Sequence, residues 1–261
     1  MSISVIIHTY NSEKYLRECL ESVKLADEII ICDMYSTDKT IEIAQEFGCR
    51  IIYHENVGFA DPARNWAISQ ASSDYVFIVD SDEIFPEAIW SYLRDFEKNN
   101  PQPWIVGVTI PRKNLILGKF LRSWYPNQIQ RFWKKGCVYW PDKVHENPTT
   151  LNGGLHHIDP KRMDLAIIHY NYDSIESFIS RSNKYTSLEI EKMVKRGKHF
   201  SLPYLIFRPL AEFFKKYFLK QGFKDGVNGF IFSIYAAIYE FIEISKLWEY
   251  EIKQNTPENK A

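Results

Sequence analysis

The first 80 residues alternate short apolar runs with stretches in which apolar residues recur every three or four positions. The apolar runs predict four β-strands, at residues 3–7, 28–32, 50–53 and 75–79. The stretches between them predict three amphipathic helices of about ten residues each. Strands that alternate with such helices form βαβ units. We therefore predict an α/β fold with a mostly parallel sheet flanked by helices.

Small polar residues mark where these helices are expected to begin. Asn11 or Ser12 is a suitable N-cap for the first helix, and Ser36 or Thr37 for the second. Asp61, followed directly by proline, opens the third.

The pattern changes after residue 100. Residues 104–110, 128–133, 138–140 and 165–169 read as further strands. We expect Pro111 to end the first of these. From Ser174 the pattern is helical, with one helix to about residue 194 and another over residues 226–250.

Three carboxylates follow the fourth predicted strand directly. Asp80 and Asp82 are two residues apart, so in an extended chain their side chains point the same way, and Glu83 comes next. In an open α/β sheet, ligands bind beyond the carboxyl ends of the strands. Mg²⁺ or Mn²⁺ is the natural partner of such oxygens, and it also neutralises phosphates. The alternative is a solvated acidic turn before a helix.

Composition narrows the class of protein. The 261 residues are 45% hydrophobic and 25% charged, which is enough for one large globular domain or a domain with an appendage. A formal net charge of −1 gives no general basis for binding nucleic acid. The four cysteines form no CxxC pair and are expected to be reduced thiols of a cytosolic protein. No secretory signal opens the chain, and no uninterrupted apolar run of 18 residues predicts a clear transmembrane span.

Five segments of the N-terminal part carry a family resemblance. They are Ser4-Val-Ile-Ile-His-Thr-Tyr-Asn11, Asp33-Met-Tyr-Ser-Thr-Asp38, Asn56-Val-Gly58, Ala63-Arg-Asn65 and Asp80-Ser-Asp82-Glu83. In this order and spacing they resemble family 2 glycosyltransferases of the GT-A fold. The later Gln130-Arg-Phe132 and Val144-His-Glu146 resemble the acceptor-side half of bacterial members that build the lipopolysaccharide core. The chain departs from the family at His8, where proline is common, and at Met34 and Tyr35, where Asp-Gly is frequent.

The resemblance implies a UDP-sugar donor and assigns residues to it. Asp33 would accept the uracil N3–H, Gly58 would allow close backbone approach, and Arg64 would meet the diphosphate. Asn65 is expected to be structural. The complete set of expected donor-binding residues is Thr9, Tyr10, Asn11, Asp33, Gly58, Arg64, Asp80 and Arg131. Taken singly, Asp33 could instead be a turn residue, and Arg64 an exposed helix residue.

The resemblance also implies a metal site and a catalytic base. Asp82 and His169 would bind Mg²⁺ or Mn²⁺. Glu146 would act as the base toward the acceptor hydroxyl, with Asp142 and Glu83 as rivals. The reaction would invert the anomeric centre.

The C-terminal part is rich in basic and aromatic residues. Residues 192–224 contain nine Lys or Arg and a single acid, Glu212, interleaved with Phe and Tyr. This composition is typical of a segment that lies on an anionic membrane surface. An ordinary helical hairpin packed on the catalytic domain is the alternative. No motif that reads nucleobases accompanies the basic and aromatic segment, so nucleic acid is not expected as a partner.

These observations predict a metal-dependent hexosyltransferase at the cytoplasmic face of the membrane, acting on a saccharide or lipid-linked acceptor. Its expected parts are a nucleotide-sugar-binding half (1–100), an acceptor-side half (101–172) and a helical appendage (173–252). A nucleotidyltransferase would also use an Asp-rich site, although the Gly-rich N-terminal loop typical of that class is missing. A non-catalytic nucleotide- or glycan-binding scaffold is the other alternative.

Overall fold

The computed structural model describes residues 1–58, 60–99, 102–141 and 147–255. The chain forms two compact units. The first comprises Met1–Lys113 and Pro126–Tyr170, and the second Asn114–Tyr125 and the described residues from Asn171 onward. The predicted boundary at residue 100 falls inside the first unit, and the division there stays a prediction.

The first unit opens with the predicted strand–helix alternation. The elements are β1 (Ile3–Thr9), α1 (Glu13–Val23), β2 (Glu28–Asp33), α2 (Thr40–Glu46), β3 (Arg50–Tyr53), α3 (Asp61–Gln70) and β4 (Tyr75–Asp80). The strands pair in parallel in the order β3-β2-β1-β4. All four predicted strands are confirmed to within a residue or two.

Most of the remaining strands extend this sheet, chiefly with antiparallel pairings. They are β5 (Glu83–Ile84), β6 (Ile105–Ile116), β7 (Lys119–Phe120), β8 (Asn127–Lys134), β9 (Val138–Tyr139), β10 (Thr149–Thr150), β11 (Gly154–His157) and β12 (Ile167–Tyr172). Helices α4 (Glu87–Arg94) and α5 (Phe96–Asn99) precede β6. The sheet continues from β4 in the order β8-β6-β12-β5, and β8 is antiparallel to both β4 and β6. Strands β9 and β10 form a separate two-stranded sheet.

Two local predictions were wrong. Strand β6 continues through Pro111, which lies opposite Gln128 of β8, because proline loses one donor but keeps an extended backbone. Helix α2 begins at Thr40 rather than after Ser36 or Thr37. The backbone N–H of Ser36 instead donates to Asp33, at the end of β2, and that of Thr37 donates to Asn11, in the loop after β1.

The apolar runs lack polar alternation because the parallel strands are covered on both faces. Val5 and Ile7 of β1 belong to one buried cluster with Leu16 of α1 and Trp90 of α4. Ile6, between them, points to the opposite face and packs in a second cluster with residues of α3. A side chain that is fully buried in this way stabilises the fold by about 1.5–3 kcal/mol.

The second unit is mostly helical. It contains α6 (Ile175–Lys195), α7 (Leu202–Phe214), a π-helical turn (Lys215–Leu219) and α8 (Gly226–Asn255). The predicted start of α6 is confirmed, since Ser174 caps it through a reciprocal hydrogen-bond pair with Ser177. Its core includes Phe178 packed on Phe232.

One helical segment of the described chain passes a length and composition test for a membrane span. It covers Gly222–Gln254, with a mean hydropathy of 1.4 in its most apolar window, of which 28% is buried. The helix satisfies the test although its apolar residues are interrupted by polar ones. Because only 28% of that window is buried, many of its apolar side chains are exposed.

Candidate active site

The sheet register brings three of the predicted donor-binding residues, Thr9, Asp33 and Asp80, to one edge. Thr9 lies opposite Asp33 on β2, and His8 lies opposite Asp80 on β4. These positions are the carboxyl ends of three adjacent parallel strands, where ligands bind in such sheets.

Asp33 is fully buried and organises the loop that follows β2. Its Oδ1 accepts hydrogen bonds from the hydroxyls of Thr9 (2.7 Å) and Ser36 (2.6 Å), and its Oδ2 accepts one from the Ser36 backbone N–H (2.8 Å). Asn11 ties the β1 loop to the same segment, because its Oδ1 accepts from the Thr37 N–H at 2.8 Å. The neighbouring Tyr10 is 51% exposed. In this arrangement Asp33 orders the loops and has no exposed oxygen.

His8 lies at the end of β1 with its side chain buried. Burial, with a smaller contribution from the positive charge of Arg64, lowers the pKa of its imidazole to about 3. The ring is therefore neutral at physiological pH. Its burial agrees with a packed loop histidine.

Asp80 ends β4 within a cluster of arginines. Its Oδ1 accepts from Arg64 Nη2 at 3.3 Å, and its Oδ2 accepts from Arg131 Nη2. Burial by itself would raise the pKa of Asp80, but the charges of Arg131 and Arg64 outweigh it and hold that pKa well below its usual range. Asp80 is thus an ionised partner that positions two arginines rather than an open metal ligand.

Glu83 and Arg112 complete this cluster, and Arg112 was not among the residues singled out from the sequence. Glu83 is fully buried; its Oε1 accepts from Arg112 (2.8 Å) and Arg131 (2.8 Å), and its Oε2 accepts from the Asp80 N–H (3.2 Å). Both oxygens of Glu83 are therefore engaged, which argues against its use as a base. Three guanidinium groups face two carboxylates here, so the cluster carries an excess of positive charge suited to a diphosphate.

Asp82 and His169 lie together in the first unit. His169 Nε2 is 3.5 Å from Asp82 Oδ1, and the Asp82 carbonyl accepts from the Tyr170 N–H at 3.0 Å. Adjacent ligands of one octahedral Mg²⁺ stand about 3 Å apart, so this oxygen and nitrogen fit a shared ion after a small shift. No group of three or more His, Cys, Asp and Glu suited to a metal occurs among the described residues. Ions of this kind usually take their other ligands from substrate phosphates and water.

Two neighbouring polar residues of helix α3, Arg64 and Asn65, both contact Trp140. Asn65 makes two hydrogen bonds to the Trp140 backbone, at 2.6 and 2.8 Å, as expected of a structural residue. The Arg64 guanidinium lies 4.7 Å from the centre of the Trp140 ring, which fixes its direction toward Asp80. Gly58, before the helix, has φ +88°, a conformation that favours glycine.

Comparison with known proteins identifies the family. The family model described as "Glycosyl transferase family 2" matches residues 4–144, which is more than half of the chain. The chain belongs to glycosyl transferase family 2.

Two relatives match almost the whole of this family 2 chain. The lipopolysaccharide core biosynthesis glycosyltransferase LpsC of Rhizobium meliloti is 27% identical, over 95% of this chain and 93% of its own. An uncharacterized glycosyltransferase of Rickettsia conorii is 28% identical, over 96% of this chain and 91% of its own.

A solved structure supports the fold. The crystal structure of S. aureus TarS 1–349 in complex with UDP-GlcNAc superposes with a TM-score of 0.51 at 16% identity, covering 98% of this chain and 93% of that one. The expected GT-A-like α/β fold with a C-terminal helical part is thereby confirmed.

The family match covers most, but not all, of the predicted site. Its range includes the donor-side residues and ends before Glu146 and His169. The expected base, Glu146, and its rival Asp142 lie outside the described residues. Arg112 was missed because it stands between Pro111 and Lys113, a polar stretch that resembles the end of a strand.

Proposed function

We propose that this protein transfers a hexose from a UDP-sugar to a hydroxyl of a saccharide or lipid-linked acceptor, with inversion, in lipopolysaccharide or other cell-envelope polysaccharide synthesis. The observation that carries this proposal is the pairing of Asp82 with His169 beside the arginine cluster on Asp80. Family membership supplies the reaction class. The likeness to LpsC supports the pathway, and the UDP-GlcNAc complex of TarS supports the donor class.

The site is suited to departure of a nucleoside diphosphate. Asp82 and His169 would hold Mg²⁺ or Mn²⁺, which when bound supplies positive charge to the diphosphate oxygens. Arg64 and Arg131 stand beside it, each already fixed by Asp80. Because these donors are pre-positioned, no reorganisation is needed as negative charge develops on the leaving group.

The acceptor half of the reaction requires a base. As the acceptor oxygen bonds to the anomeric carbon, its proton passes to a carboxylate, and the bond from that carbon to the diphosphate oxygen breaks on the opposite face. We assign the base role to Glu146, with Asp142 as the alternative. Glu83 is set aside because two arginines hold it in a fully buried position.

Donor hydrolysis tests the reaction class without knowledge of the acceptor. With Mn²⁺ present, we expect the protein to split one UDP-sugar of a panel slowly, releasing UDP and free hexose. A nucleotidyltransferase would instead release pyrophosphate from a nucleoside triphosphate, and a binding scaffold would release neither product. Absence of UDP release from every UDP-sugar in the panel, with or without saccharide added, would contradict the proposal.

We further propose that the second unit lies on an anionic membrane surface, where a lipid-linked acceptor is presented. Helix α7 exposes one apolar stripe, formed by Leu202, Ile206, Phe207, Leu210 and Phe214. Helix α8 exposes another, formed by Val227, Phe230, Ile231, Ile234, Ile238 and Phe241. Their spacing places each stripe along one helix face. Apolar faces of this size that remain in contact with water are unusual for a soluble surface.

The polar residues of α7 and α8 indicate that these helices would lie on the surface of a bilayer and would not cross it. Arg208 of α7 binds Glu240 of α8 through two hydrogen bonds, at 2.9 and 3.2 Å, and Glu243 follows one turn later. Burial raises the pKa of Glu243, and carboxylates are costly at the centre of a bilayer. Exposed lysines at 215, 220 and 224 lie near the stripes along the chain and suit anionic headgroups.

Co-sedimentation with vesicles tests the membrane proposal. Replacing Lys215, Lys220 and Lys224 with Glu should weaken binding to phosphatidylserine-containing vesicles by at least about 100-fold. Each base near an anionic surface contributes about 1 kcal/mol, and the new carboxylates add repulsion. Binding of the wild-type protein should also fall with salt, because the Debye length is only about 8 Å at physiological ionic strength.

A matched control carries the same charge change on the first unit. Lys24, Lys98 and Lys161 are exposed there, and their replacement with Glu should leave vesicle binding nearly unchanged. Equal loss in both triple variants would indicate a general charge effect. A wild-type protein that ignores anionic vesicles at low salt would overturn the membrane proposal.

A further inference from the structure

Two exposed tyrosine rings stack on each other beside Asp33. The rings of Tyr35 and Tyr53 have centroids 5.4 Å apart and planes inclined by 20°. They remain 63% and 47% exposed. Tyr35 follows Asp33 by two residues, and Tyr53 lies directly opposite Asp33 in the pairing of β2 with β3. The ends of two neighbouring strands, β2 and β3, therefore bring the two rings together.

Tyr35 occupies this position in an unfavourable backbone conformation. Its φ is +61°, in the left-handed region that a bulky residue rarely adopts. The ring is mostly in water, so core packing does not compensate. The loop is instead held by Asp33, whose two carboxylate oxygens bind the backbone and hydroxyl of Ser36. Backbone strain maintained in this way is concentrated at ligand sites.

We infer that the stacked pair of Tyr35 and Tyr53 is the platform for the base of the nucleoside diphosphate donor. The inference rests on the proposed function and assigns one part of its site. Asp33, the residue expected to contact the base, is fully buried and engaged, whereas the two rings offer an exposed aromatic surface. Every nucleobase has a π-face that stacks on such rings.

The position of the pair along the sheet agrees with this assignment. Strand β2, which carries Tyr35 after its end, is separated from β4 by β1 alone. Neighbouring strands lie about 4.8 Å apart, so the ends of β2 and β4 are about 10 Å apart. A base on the tyrosine pair and a diphosphate at the Arg64–Asp80 cluster would be joined by the ribose between them.

Replacement of Tyr35 with glycine separates a binding role from a structural one. Glycine removes the ring and accepts a positive φ without strain, so the variant should be at least as stable as the wild type. Its affinity for UDP should nevertheless fall by about fivefold to hundredfold, the range of base–aromatic stacking. Tyr53→Leu, which keeps an apolar strand residue, should show a similar loss.

Calorimetric titrations with UDP and with inorganic pyrophosphate, both with Mn²⁺, provide the readouts. Pyrophosphate has no base, so its affinity should be the same in wild type, Tyr35→Gly and Tyr53→Leu. Tyr139→Leu removes a comparably exposed tyrosine on β9 and should leave both affinities unchanged.

The outcomes distinguish this inference from the proposed function. Wild-type UDP affinity in both variants would overturn the platform while leaving the UDP-sugar proposal intact. Equal loss of UDP and pyrophosphate binding would also overturn it, because the loop and not the ring would then be responsible. If the wild-type protein binds neither UDP nor any UDP-sugar, the platform and the proposed function both fail.

Discussion

Asp82→Ala should lower sugar transfer on the order of 10³-fold or more and should remove the dependence of donor binding on divalent ions. Asp82 is partly exposed; its carboxylate lies beside the His169 ring, and its carbonyl accepts a backbone hydrogen bond from Tyr170. Truncation of its side chain therefore removes the proposed metal ligand without removing core packing. The melting temperature should stay within about 2 °C of wild type, since exposed positions rarely change stability by more than about 0.5 kcal/mol.

Asp80→Ala provides the contrasting variant. It would leave the buried guanidinium groups of Arg64 and Arg131 without their shared carboxylate. Breaking a buried ion pair by removing one partner costs about 3–5 kcal/mol, so Asp80→Ala should unfold at a clearly lower temperature. Transfer assays at several Mn²⁺ concentrations, paired with thermal melts, separate the two effects. Wild-type turnover by Asp82→Ala in the presence of a chelator would refute the metal assignment.

Glu146→Gln should lower the rate of transfer by about 10²–10⁴-fold while leaving binding of the UDP-sugar unchanged. The amide has nearly the shape of the carboxylate but does not take the acceptor proton. The rate should be measured at saturating acceptor, because a loss confined to KM would indicate weakened binding instead. Donor affinity should be measured in parallel by titration.

Asp142→Asn is the comparison for this assignment. If Glu146 is the base, Asp142→Asn should retain most of the activity. A loss of less than tenfold in Glu146→Gln together with a large loss in Asp142→Asn would transfer the role to Asp142. Small losses in both variants would mean that the base belongs to another residue.

The periodic patterns of the sequence were sufficient for most of the secondary structure. The runs that form β1, β2 and β4 were recognised because strands buried on both faces must be apolar at every position. Two predictions failed because a residue that often ends or begins an element makes a different interaction in this fold. Ser36 resembles a helix cap, but its N–H and hydroxyl bind Asp33, and the helix begins four residues later. Pro111 resembles a strand end, but β6 needs no donor from it to remain extended.

The sequence by itself determined the fold class and the convergence of Thr9, Asp33 and Asp80, because parallel strands end at the same edge of a sheet. The family resemblance added Asp82 and His169 as an expected pair, and the structure places them 3.5 Å apart. Only the tertiary structure decided how the charges are shared. Arg112 and Arg131 reach Glu83 from β6 and β8, which are 29 and 48 residues further along the chain. No local pattern encodes such pairings, since they depend on the order in which antiparallel strands join the sheet. That order makes Asp80 a partner of arginines and leaves the Asp82 carboxylate beside His169. The parallel pairing of β2 with β3 is likewise a tertiary contact, and it stacks Tyr35 on Tyr53.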